Sequence, residues 1–557
     1  MSCAANEAQD DRAQPTRLVL DPNRQLNTAT PVGRLPPGIL AYIFLLVYPF
    51  PFYGRGRTPA GLALSHVCRE WMAVATGPGC STLWADFREY YHPELTNLMV
   101  SRSRDAPMTV LYFQPKVDDE EVLGYALDQI HRLRYVLVVN RDPDFDMEWV
   151  FSTFVHGAPM LQYLHIEACP AQWTRFPDNF LQGGAPYLCD LQLRNCNILW
   201  SQIPFSANLT NLLLWDHLDS ERTWPTTEML MEALKHMPLL RKIELRGILP
   251  SKGSFPPSPP YSRAVLQDLQ TVTLWEPMPA TVDFLECLSI PRSAMVDLWL
   301  TGSVEDATTI ARLLANIRAT LEDAEISRPT PLRTRRLEIS FRIDGQCGEW
   351  VDDPGEYWNF DIWTQHGGRP SISVALDQGR LLDPTEFVAQ FQAELDLAAL
   401  EKLQFTEFES LPSPAWIAIF GQLPRLKAIT VSCTCEFQDF FLAVSTKRPT
   451  QAGDTTATSR PTFYFAALET ITLEHADFGS RPTRRTNLIC IIHALKERSK
   501  TNPIKELRLE RCPEFLRVHY ELLKSADIDG LDLIWDEDEC GELSYSDNSD
   551  SDSVSSE

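Results

Sequence analysis

The feature that most constrains this chain is a short pattern, apolar-x-x-apolar-x-apolar, that recurs about a dozen times after residue 130. Its last two apolar positions alternate, as they do in a β-strand that buries one face. Its first position lies three residues before the inner residue of the strand, where the chain enters it. One copy cannot bury its apolar face alone, so neighbouring copies must stack on one another. The copies begin at Leu133, Leu161, Leu188, Leu209, Leu240, Leu269, Met295, Leu400, Leu426, Leu468, Ile504 and Ile528, with a degenerate copy at Leu337 and Ile339.

The spacing of these copies indicates the class of repeat. The first seven begin 28, 27, 21, 31, 29 and 26 residues apart, which is typical of leucine-rich repeats with irregular connections. Three copies carry a cysteine three residues after the last apolar position, where this repeat places Asn or Cys; we interpret Cys169, Cys196 and Cys512 as structural. The sequence therefore predicts an α/β solenoid over residues 93–535, with a curved parallel sheet and outer helices.

Segments between the copies predict helices at residues 229–237, 307–321 and 487–498, because apolar side chains recur there at helical spacing. Three insertions interrupt the period. Residues 250–260 are rich in Pro and Ser, residues 341–372 are rich in aromatic side chains, and residues 446–462 are polar. Residues 1–30 and the acidic Ser-rich tail 536–557 are expected to be disordered.

Ahead of the repeats, residues 35–84 predict two or three short amphipathic helices. Pro36 and Pro37 favour a helix start, since proline has no N–H to lose in the first turn. Apolar side chains then recur at helical spacing from Ile39, and again from Leu64 until Gly77-Pro78 ends the pattern. About 50 residues are near the lower limit for a domain that folds alone, so we expect this segment to pack against something else.

Three motifs stand out in this segment: Leu35-Pro36-Pro37-x-Ile39-Leu40, Val67-Cys68-Arg69-x-Trp71 and Leu83-Trp84. They resemble the F-box, in the form found in the large F-box families of mushroom-forming fungi. The resemblance predicts an F-box-like domain over residues 31–92 that docks on the Skp adaptor of a Skp–cullin–F-box ubiquitin ligase through these residues together with Ile43 and Phe44. The chain departs from the family at Gly38, where an acidic residue is usual, and in the longer link Pro49–Pro59.

Composition excludes several function classes. The net charge is −25, and nine acids without a Lys or Arg lie in residues 536–557. Such a chain does not suit nucleic acid or an anionic membrane, whose binding needs cationic side chains. No run of 18 apolar residues and no signal peptide is visible. Thirteen scattered cysteines favour reduced thiols, so we expect a cytoplasmic or nuclear protein.

The sequence offers no catalytic or metal motif. It contains no Gly-x-x-x-x-Gly-Lys-Ser/Thr loop, no Gly-x-Ser-x-Gly elbow and no His-Glu-x-x-His helix. Cys433-x-Cys435 has no second pair at zinc-ligand spacing. We therefore expect no enzyme activity, no cofactor and no metal.

Two further places are candidates for recognition or regulation. Exposed aromatic rings dominate protein interfaces, so the insertion at 341–372 predicts target binding through Trp350, Tyr357, Trp358 and Trp363, unless these rings pack back on the solenoid. In the tail, Ser544 and Ser549 each have an acid three residues on, which predicts phosphorylation, the alternative being a solubilising tail.

The sequence leaves three functions open. The first is the substrate-recognition subunit of the ligase, binding adaptor, cullin through the adaptor, and an unknown protein target. The second is an interaction scaffold that keeps the F-box fold without ligase duty, which Gly38 and the long link allow. The third is an enzyme with an unrecognised site.

Overall fold

The chain forms two compact units, Met1–Thr223 and Trp224–Glu557, which we describe separately. The predicted disordered N-terminus, the insertion 250–260, the residues Trp350, Cys433 and Cys435 and the phosphorylation candidates Ser544 and Ser549 lie outside the described residues. The computed structural model describes residues 30–47, 58–88, 92–115, 120–169, 176–196, 203, 205–216, 226–249, 263–291, 293–301, 307–322, 334–344, 355–364, 369–377, 388, 390, 392–395, 397–406, 411–432, 437–449, 462–476, 478 and 481–537.

The first unit begins with helices and continues as a parallel sheet whose six described strands pair in chain order. The strands are β1 (Asp86–Arg88), β2 (Met108–Phe113), β3 (Leu133–Val139), β4 (Tyr163–Glu167), β5 (Asp190–Arg194) and β6 (Asn211–Trp215). The helices are α1 (Pro37–Val47), α2 (Ala60–Ser65), α3 (Arg69–Ala75), α4 (Pro93–Ser103), α5 (Glu120–Leu127) and α6 (Met147–Thr153), with 3-10 turns at Val32–Arg34, Pro78–Trp84 and Ile130–Arg132.

The second unit contains a sheet of eleven described strands and a small parallel pair. The sheet order is β7, β9, β11, β14, β13, β12, β15, β16, β17, β18, β19. These strands are β7 (Lys242–Arg246), β9 (Thr271–Pro277), β11 (Met295–Thr301), β12 (Arg336–Asp344), β13 (Gly355–Trp363), β14 (Ile372–Asp377), β15 (Lys402–Thr406), β16 (Ala428–Ser432), β17 (Thr470–Glu474), β18 (Glu506–Glu510) and β19 (Asp532–Trp535), and the separate pair is β8 (Ala264–Val265) with β10 (Leu288–Ser289).

Helices of the second unit lie between these strands in the chain. The three predicted helices are confirmed, and the third begins six residues earlier than expected. The described helices of this unit are α7 (Thr227–Lys235), α8 (Met278–Cys287), α9 (Ala307–Glu322), α10 (Ser413–Ile419), α11 (Gln438–Ser445), α12 (Arg481–Arg498) and α13 (Arg517–Ser525), of which α7, α9 and α12 are the predicted ones.

Strand register confirms the repeat pattern over most of the chain. The inner residues Leu164, Leu191 and Leu212 pair in one line across β4, β5 and β6. All three are buried, as are the entry residues Leu161 and Leu188. Mostly parallel sheets with apolar side chains stacked in this register are consistent with a leucine-rich-repeat solenoid.

Two copies take a register different from the prediction. In β11, Val296 and Leu298 pair with the inner residues of β9, so the copy begins two residues before Met295. In β19, Leu533 pairs with Leu507 and Trp535 with Leu509, so this copy also differs by two residues from the expected Leu531 and Leu533. An alternating pattern is unchanged by a shift of two, and pairing with the neighbouring strand decides between the alternatives.

The insertion at 341–372 joins the sheet. β12 and β14 flank β13, which runs antiparallel to both, and the two outer strands pair in parallel with the regular repeats β15 and β11. The side chains of Ile372, Val374 and Leu376 alternate and are buried. The insertion and the five residues that follow it therefore add two strands, β13 and β14, that the repeat pattern does not contain.

The N-terminal segment forms three helices, within the predicted two or three. Helix α1 begins at Pro37, as expected. The second apolar pattern is divided into α2 and α3 by residues 66–68. The Cys68 backbone is extended, and its sulfur accepts a hydrogen bond from the N–H of Trp71 at 3.5 Å, so Cys68 is the N-cap of α3.

The three cysteines interpreted as structural lie where their strands end. Cys512 is fully buried and Cys169 nearly so, while Cys196 is half-buried. The thiol of Cys196 lies 3.0 Å from the carbonyl oxygen of Arg194. These contacts place the thiols where the chain leaves each strand.

A buried arginine closes the base of the insertion at 446–462, whose residues 450–461 lie outside the described part. The guanidinium of Arg498 donates hydrogen bonds to four carbonyl oxygens, those of Val444, Tyr464, Phe465 and Asn502, at 2.8–3.0 Å. In the chain, Val444 precedes the insertion, whereas Tyr464, Phe465 and Asn502 follow it. Burial lowers the pKa of Arg498 to about 10, so the group remains charged at neutral pH.

We expect Arg498→Met to destabilise the protein by about 3–5 kcal/mol, because four carbonyl groups, two of them buried and two part-buried, lose their donor. Chemical denaturation followed by circular dichroism measures this change. Arg425→Met, at an exposed arginine of the same unit, should change stability by about 0.5 kcal/mol or less. Equal effects of the two substitutions would show that the hydrogen bonds of Arg498 do not stabilise the two ends of the insertion.

Candidate interaction surfaces

Helix α1 has an unusual surface for a short helix. Its sequence, PGILAYIFLLV, contains no charged residue. One side buries Leu40 and Phe44, and the other exposes Tyr42 by 61% and Leu46 by 66%. Ile39 and Leu45 are also exposed, and at 3.6 residues per turn these four side chains occupy an arc of about 120°. We call Ile39, Tyr42, Leu45 and Leu46 the exposed face of α1.

The buried side of α1 is held by aromatic packing. The rings of Phe44 and Trp71 lie 4.8 Å apart between centroids. Trp84 is fully buried, and its indole N–H donates to the carbonyl oxygen of Ala75 at 2.7 Å. Gly61 provides the space for this ring, since a Cβ there would lie 2.6 Å from an indole carbon.

The predicted adaptor contacts therefore separate into two groups. Leu40, Phe44, Leu83 and Trp84 are buried and form the interior of the N-terminal helices, so they offer nothing to a partner in this structure. Leu35, Ile43, Cys68 and Trp71 are half-buried. Those on the surface are Pro36, Pro37, Ile39 and Val67, and the sequence interpretation did not include the exposed Tyr42, Leu45, Leu46 and Met72.

Each sheet also has a face opposite the buried repeat side chains, which we call its open face. In the first unit this face carries an apolar cluster of Leu111, Leu137 and Val139, with Tyr135 and Tyr163 packed against it. The two tyrosine rings stack 4.0 Å apart and nearly parallel. These residues occupy the variable positions of the repeat, so the apolar signature does not reveal them.

Beside this cluster the open face of the first unit is polar. Glu167 accepts a charge-assisted hydrogen bond from Arg194 at 3.4 Å, and the Nε2 atom of His165 lies 3.8 Å from the same carboxylate. The Arg194 guanidinium also lies 4.8 Å from the ring centroid of Trp215. The face therefore offers an apolar patch bordered by an ordered ionic group.

The open face of the second unit is different in character. Trp275 and Trp299 stack with centroids 4.9 Å apart, and the Arg246 guanidinium lies 3.6 Å from the Trp275 centroid. Next to this stack lies Asp297, which accepts a hydrogen bond from Trp299. Burial raises the pKa of Asp297, as do the neighbouring carboxylates of Asp361 and Glu244, while the Trp299 hydrogen bond opposes the shift.

Two of the four aromatic residues predicted to bind a target, Trp358 and Trp363, are buried. Trp358 is 2% exposed and belongs to the core side of β13. Trp363 is 7% exposed, and the Arg336 guanidinium lies 4.4 Å from its ring centroid. Neither ring offers its surface to a partner in this structure, because the insertion forms a strand in which neighbouring side chains cover both rings. The side chain of Tyr357 lies outside the described residues.

The carboxyl group of Glu276 has a strongly raised pKa, but it is buried and offers no surface to a partner. Glu276 is 1% exposed, and its Oε1 atom accepts hydrogen bonds from the N–H groups of Ile248 and Leu249 at 2.6 and 3.1 Å. Burial raises the pKa of Glu276 to about 8, although these bonds act in the opposite direction. The carboxyl group holds the chain after β7, which is a structural role.

Among the described residues no cluster of His, Cys, Asp and Glu could hold a metal ion. None of the described helices combines the length and the apolarity needed to cross a membrane.

Comparison with known proteins identifies no family. No family model matches the chain, and no curated protein matches it. Among solved structures, one similar chain belongs to the crystal structure of a TLR13–ssRNA13 complex, with 11% sequence identity and a TM-score of 0.25. The match covers 72% of this chain and 45% of that one, so this chain spans less than half of the protein it matches. At this TM-score the likeness carries no argument about function.

The raised pKa of Glu276 predicts a pH dependence of stability. The folded protein binds this proton more tightly than the unfolded chain does, so stability should fall as pH rises from about 4.5 to 8. We expect Glu276→Gln to raise the melting temperature at pH 9 and to change it little at pH 5. At pH 9 the free energy of unfolding should rise by several kcal/mol. Thermal melts across this pH range measure it, with Glu521→Gln at an exposed position as control. A pH-independent difference between Glu276→Gln and wild type would contradict the assignment.

Proposed function

We propose that this chain is the target-binding subunit of a Skp–cullin–F-box ubiquitin ligase. Helices α1–α3 dock on the Skp adaptor, the adaptor links the chain to the cullin, and the sheets hold a protein target. The observation that carries this proposal is the exposed face of α1. The F-box resemblance of the same residues gives the partner.

An apolar helix in a soluble protein is normally buried on all sides. Helix α1 buries only Leu40 and Phe44, so the exposed face of α1 is suited to a second protein. Full burial of a large apolar side chain contributes roughly 1.5–3 kcal/mol. The four side chains of this face are 37–66% exposed, so covering them contributes roughly half of that each, on the order of 3–6 kcal/mol in total before the cost of association.

The chain's role in this proposal is positional. In this proposal the chain is not itself an enzyme, and the ubiquitin-loaded enzyme arrives through the cullin. Holding a target lysine near that enzyme raises its effective concentration, which accelerates transfer without chemistry by the receptor. We place the protein in the cytoplasm or nucleus, where such a complex would act.

A second candidate is an interaction scaffold that keeps the N-terminal helices without binding the adaptor. The burial of Leu40, Phe44, Leu83 and Trp84 favours it, because packing within the helical segment accounts for these motif residues without a partner. The exposed face of α1 is not explained in this way, so adaptor binding distinguishes the two candidates.

The test uses the full chain and a purified Skp-type adaptor. We expect Leu46→Asp to reduce adaptor capture at least tenfold, because the aspartate places a charge within an apolar interface. Leu442→Asp is the matched control, since Leu442 is a leucine on helix α11 that is 57% exposed. Biolayer interferometry measures the affinities, and circular dichroism shows that both variants fold.

Two results would contradict the proposal. One is wild-type protein that does not bind the adaptor at micromolar concentration. The other is equal binding by the Leu46→Asp and Leu442→Asp proteins, since docking would then occur elsewhere. Adaptor binding without cullin recruitment or target ubiquitination would support the scaffold.

A further inference from the structure

Strand β14 forms the floor of a small trough on the open face of the second unit. Ser373 pairs with Asp297 on one side, in β11, and with Asp361 on the other, in β13. Directly paired residues in neighbouring strands point to the same face. The small hydroxyl of Ser373 therefore lies between two carboxylates, and we call this place the Ser373 trough.

Four carboxylates lie at this level of the sheet. The outer two are neutralised locally: Glu244 pairs with Lys242 at 3.0 Å, and Glu338 pairs with Arg336 at 3.1 Å. The inner two, Asp297 and Asp361, form no ion pair with any residue that the structure describes. The trough therefore has a local excess of negative charge at its centre.

The electrostatics of Asp297 agree with this arrangement. Burial and the carboxylates of Asp361 and Glu244 raise its pKa, and the Trp299 hydrogen bond only partly offsets them. A cation between Asp297 and Asp361 would lower that pKa, because it stabilises the charged form. A bound cation would therefore stabilise the charged form of Asp297.

The adjacent tryptophans add an aromatic wall. Trp299 follows Asp297 by two residues on β11, and Trp275 stacks on it from β9. The Arg246 guanidinium already lies over Trp275, which shows that this stack accepts a cation on an indole face. Arginine and lysine side chains bind through such combinations of carboxylate and indole.

We propose that the Ser373 trough binds a lysine or arginine side chain from a basic, extended segment of a protein target. The inference names the class of target for the receptor proposed above and rests on that function for its biological meaning. The aliphatic part of the bound side chain packs against Trp299, and its charged end lies over Ser373 between Asp297 and Asp361.

The dimensions suit an organic cation. Neighbouring strands lie about 4.8 Å apart, so the Cα atoms of Asp297 and Asp361 are separated by roughly 9–10 Å. An ammonium or guanidinium group with hydrogen bonds of about 2.8 Å fits between carboxylates that extend from both sides. A calcium ion needs six to eight oxygens at about 2.3–2.6 Å, more than two carboxylates and one hydroxyl provide.

The open face of the second unit also has a suitable net charge. Its described acids are Glu244, Asp297, Glu338, Asp361, Glu474, Glu506, Glu510 and Asp532, against the bases Lys242, Arg246, Arg336, Lys402 and Arg508. This excess attracts a basic segment from a distance, and the Ser373 trough then holds one of its side chains.

The experiment uses the full chain and two fluorescein-labelled peptides of twelve residues. One has four Lys or Arg residues alternating with Ser and Ala, and the other has Gln at those four positions. Fluorescence anisotropy should show binding of the basic peptide and at least tenfold weaker binding of the Gln peptide. The double variant Asp297→Asn, Asp361→Asn should weaken the basic peptide at least tenfold and keep the wild-type melting temperature or raise it.

The matched control removes the same charge elsewhere on the same face. Glu474 and Glu510 pair in register on β17 and β18, and the double variant Glu474→Gln, Glu510→Gln should change the affinity less than threefold. An equal loss in the two double variants would overturn the proposal, because it would reduce the binding to attraction by net charge. Unchanged binding in the Asp297→Asn, Asp361→Asn protein would also overturn it.

A second variant tests the site from the opposite direction. Ser373→Lys places a tethered ammonium group between the two carboxylates, so it should abolish peptide binding without lowering the melting temperature. Ser373→Gln has similar length without the charge and should retain more of the affinity. Equal loss in both would overturn the proposal in favour of steric blocking. All these variants should capture the adaptor as well as the wild-type protein does. If the wild-type protein does not bind the adaptor but binds the basic peptide, the ligase function is rejected and the peptide site is not.

Discussion

Parallel pairing in register is the constraint on which the rest of this structure depends. Each repeat buries two side chains on one face of its strand, and those side chains are covered only when the next strand presents its own pair at the same level. Leu164, Leu191 and Leu212 show this in the first unit, and Ile429, Ile471 and Leu507 show it in the second. A slip of one residue would turn the buried face to water, so the apolar side fixes the register.

Because the register is fixed from the buried side, the other face is free to differ. In the first unit the open face is a cluster of leucine, valine and tyrosine beside one ionic group. In the second unit the same level of the repeat carries tryptophans and carboxylates. Each unit thus carries a surface of different chemistry on a buried ladder of the same kind, which is how a repeat fold separates stability from recognition.

The sequence predicts the buried ladder well and the surfaces poorly, for a physical reason. Apolar burial imposes a spacing, and that spacing located the strands from β3 to β18 with four exceptions. These are β13, which lies in the insertion, β14, which begins at the last residue of the insertion, and the short β8 and β10. It could not distinguish a shift of two residues in β11 and β19, since alternation looks the same after such a shift. Tyr135, Trp275 and Asp297 lie at positions on which the pattern imposes nothing. The N-terminal helix shows a different limit, because apolarity alone does not show that Leu40 is buried and Leu46 exposed.

The insertion shows how one departure from the repeat creates a site. A regular array places each strand beside the next in the chain, so a small side chain would be flanked by consecutive repeats. Here β13 reverses direction, and β14 returns to pair with β11, which precedes the insertion in the chain. Ser373 consequently lies between carboxylates from a regular repeat and from the inserted strand. The reversal also buries Trp358, so the aromatic content of the insertion stabilises the added strands while one of its acidic residues, Asp361, remains on the open face.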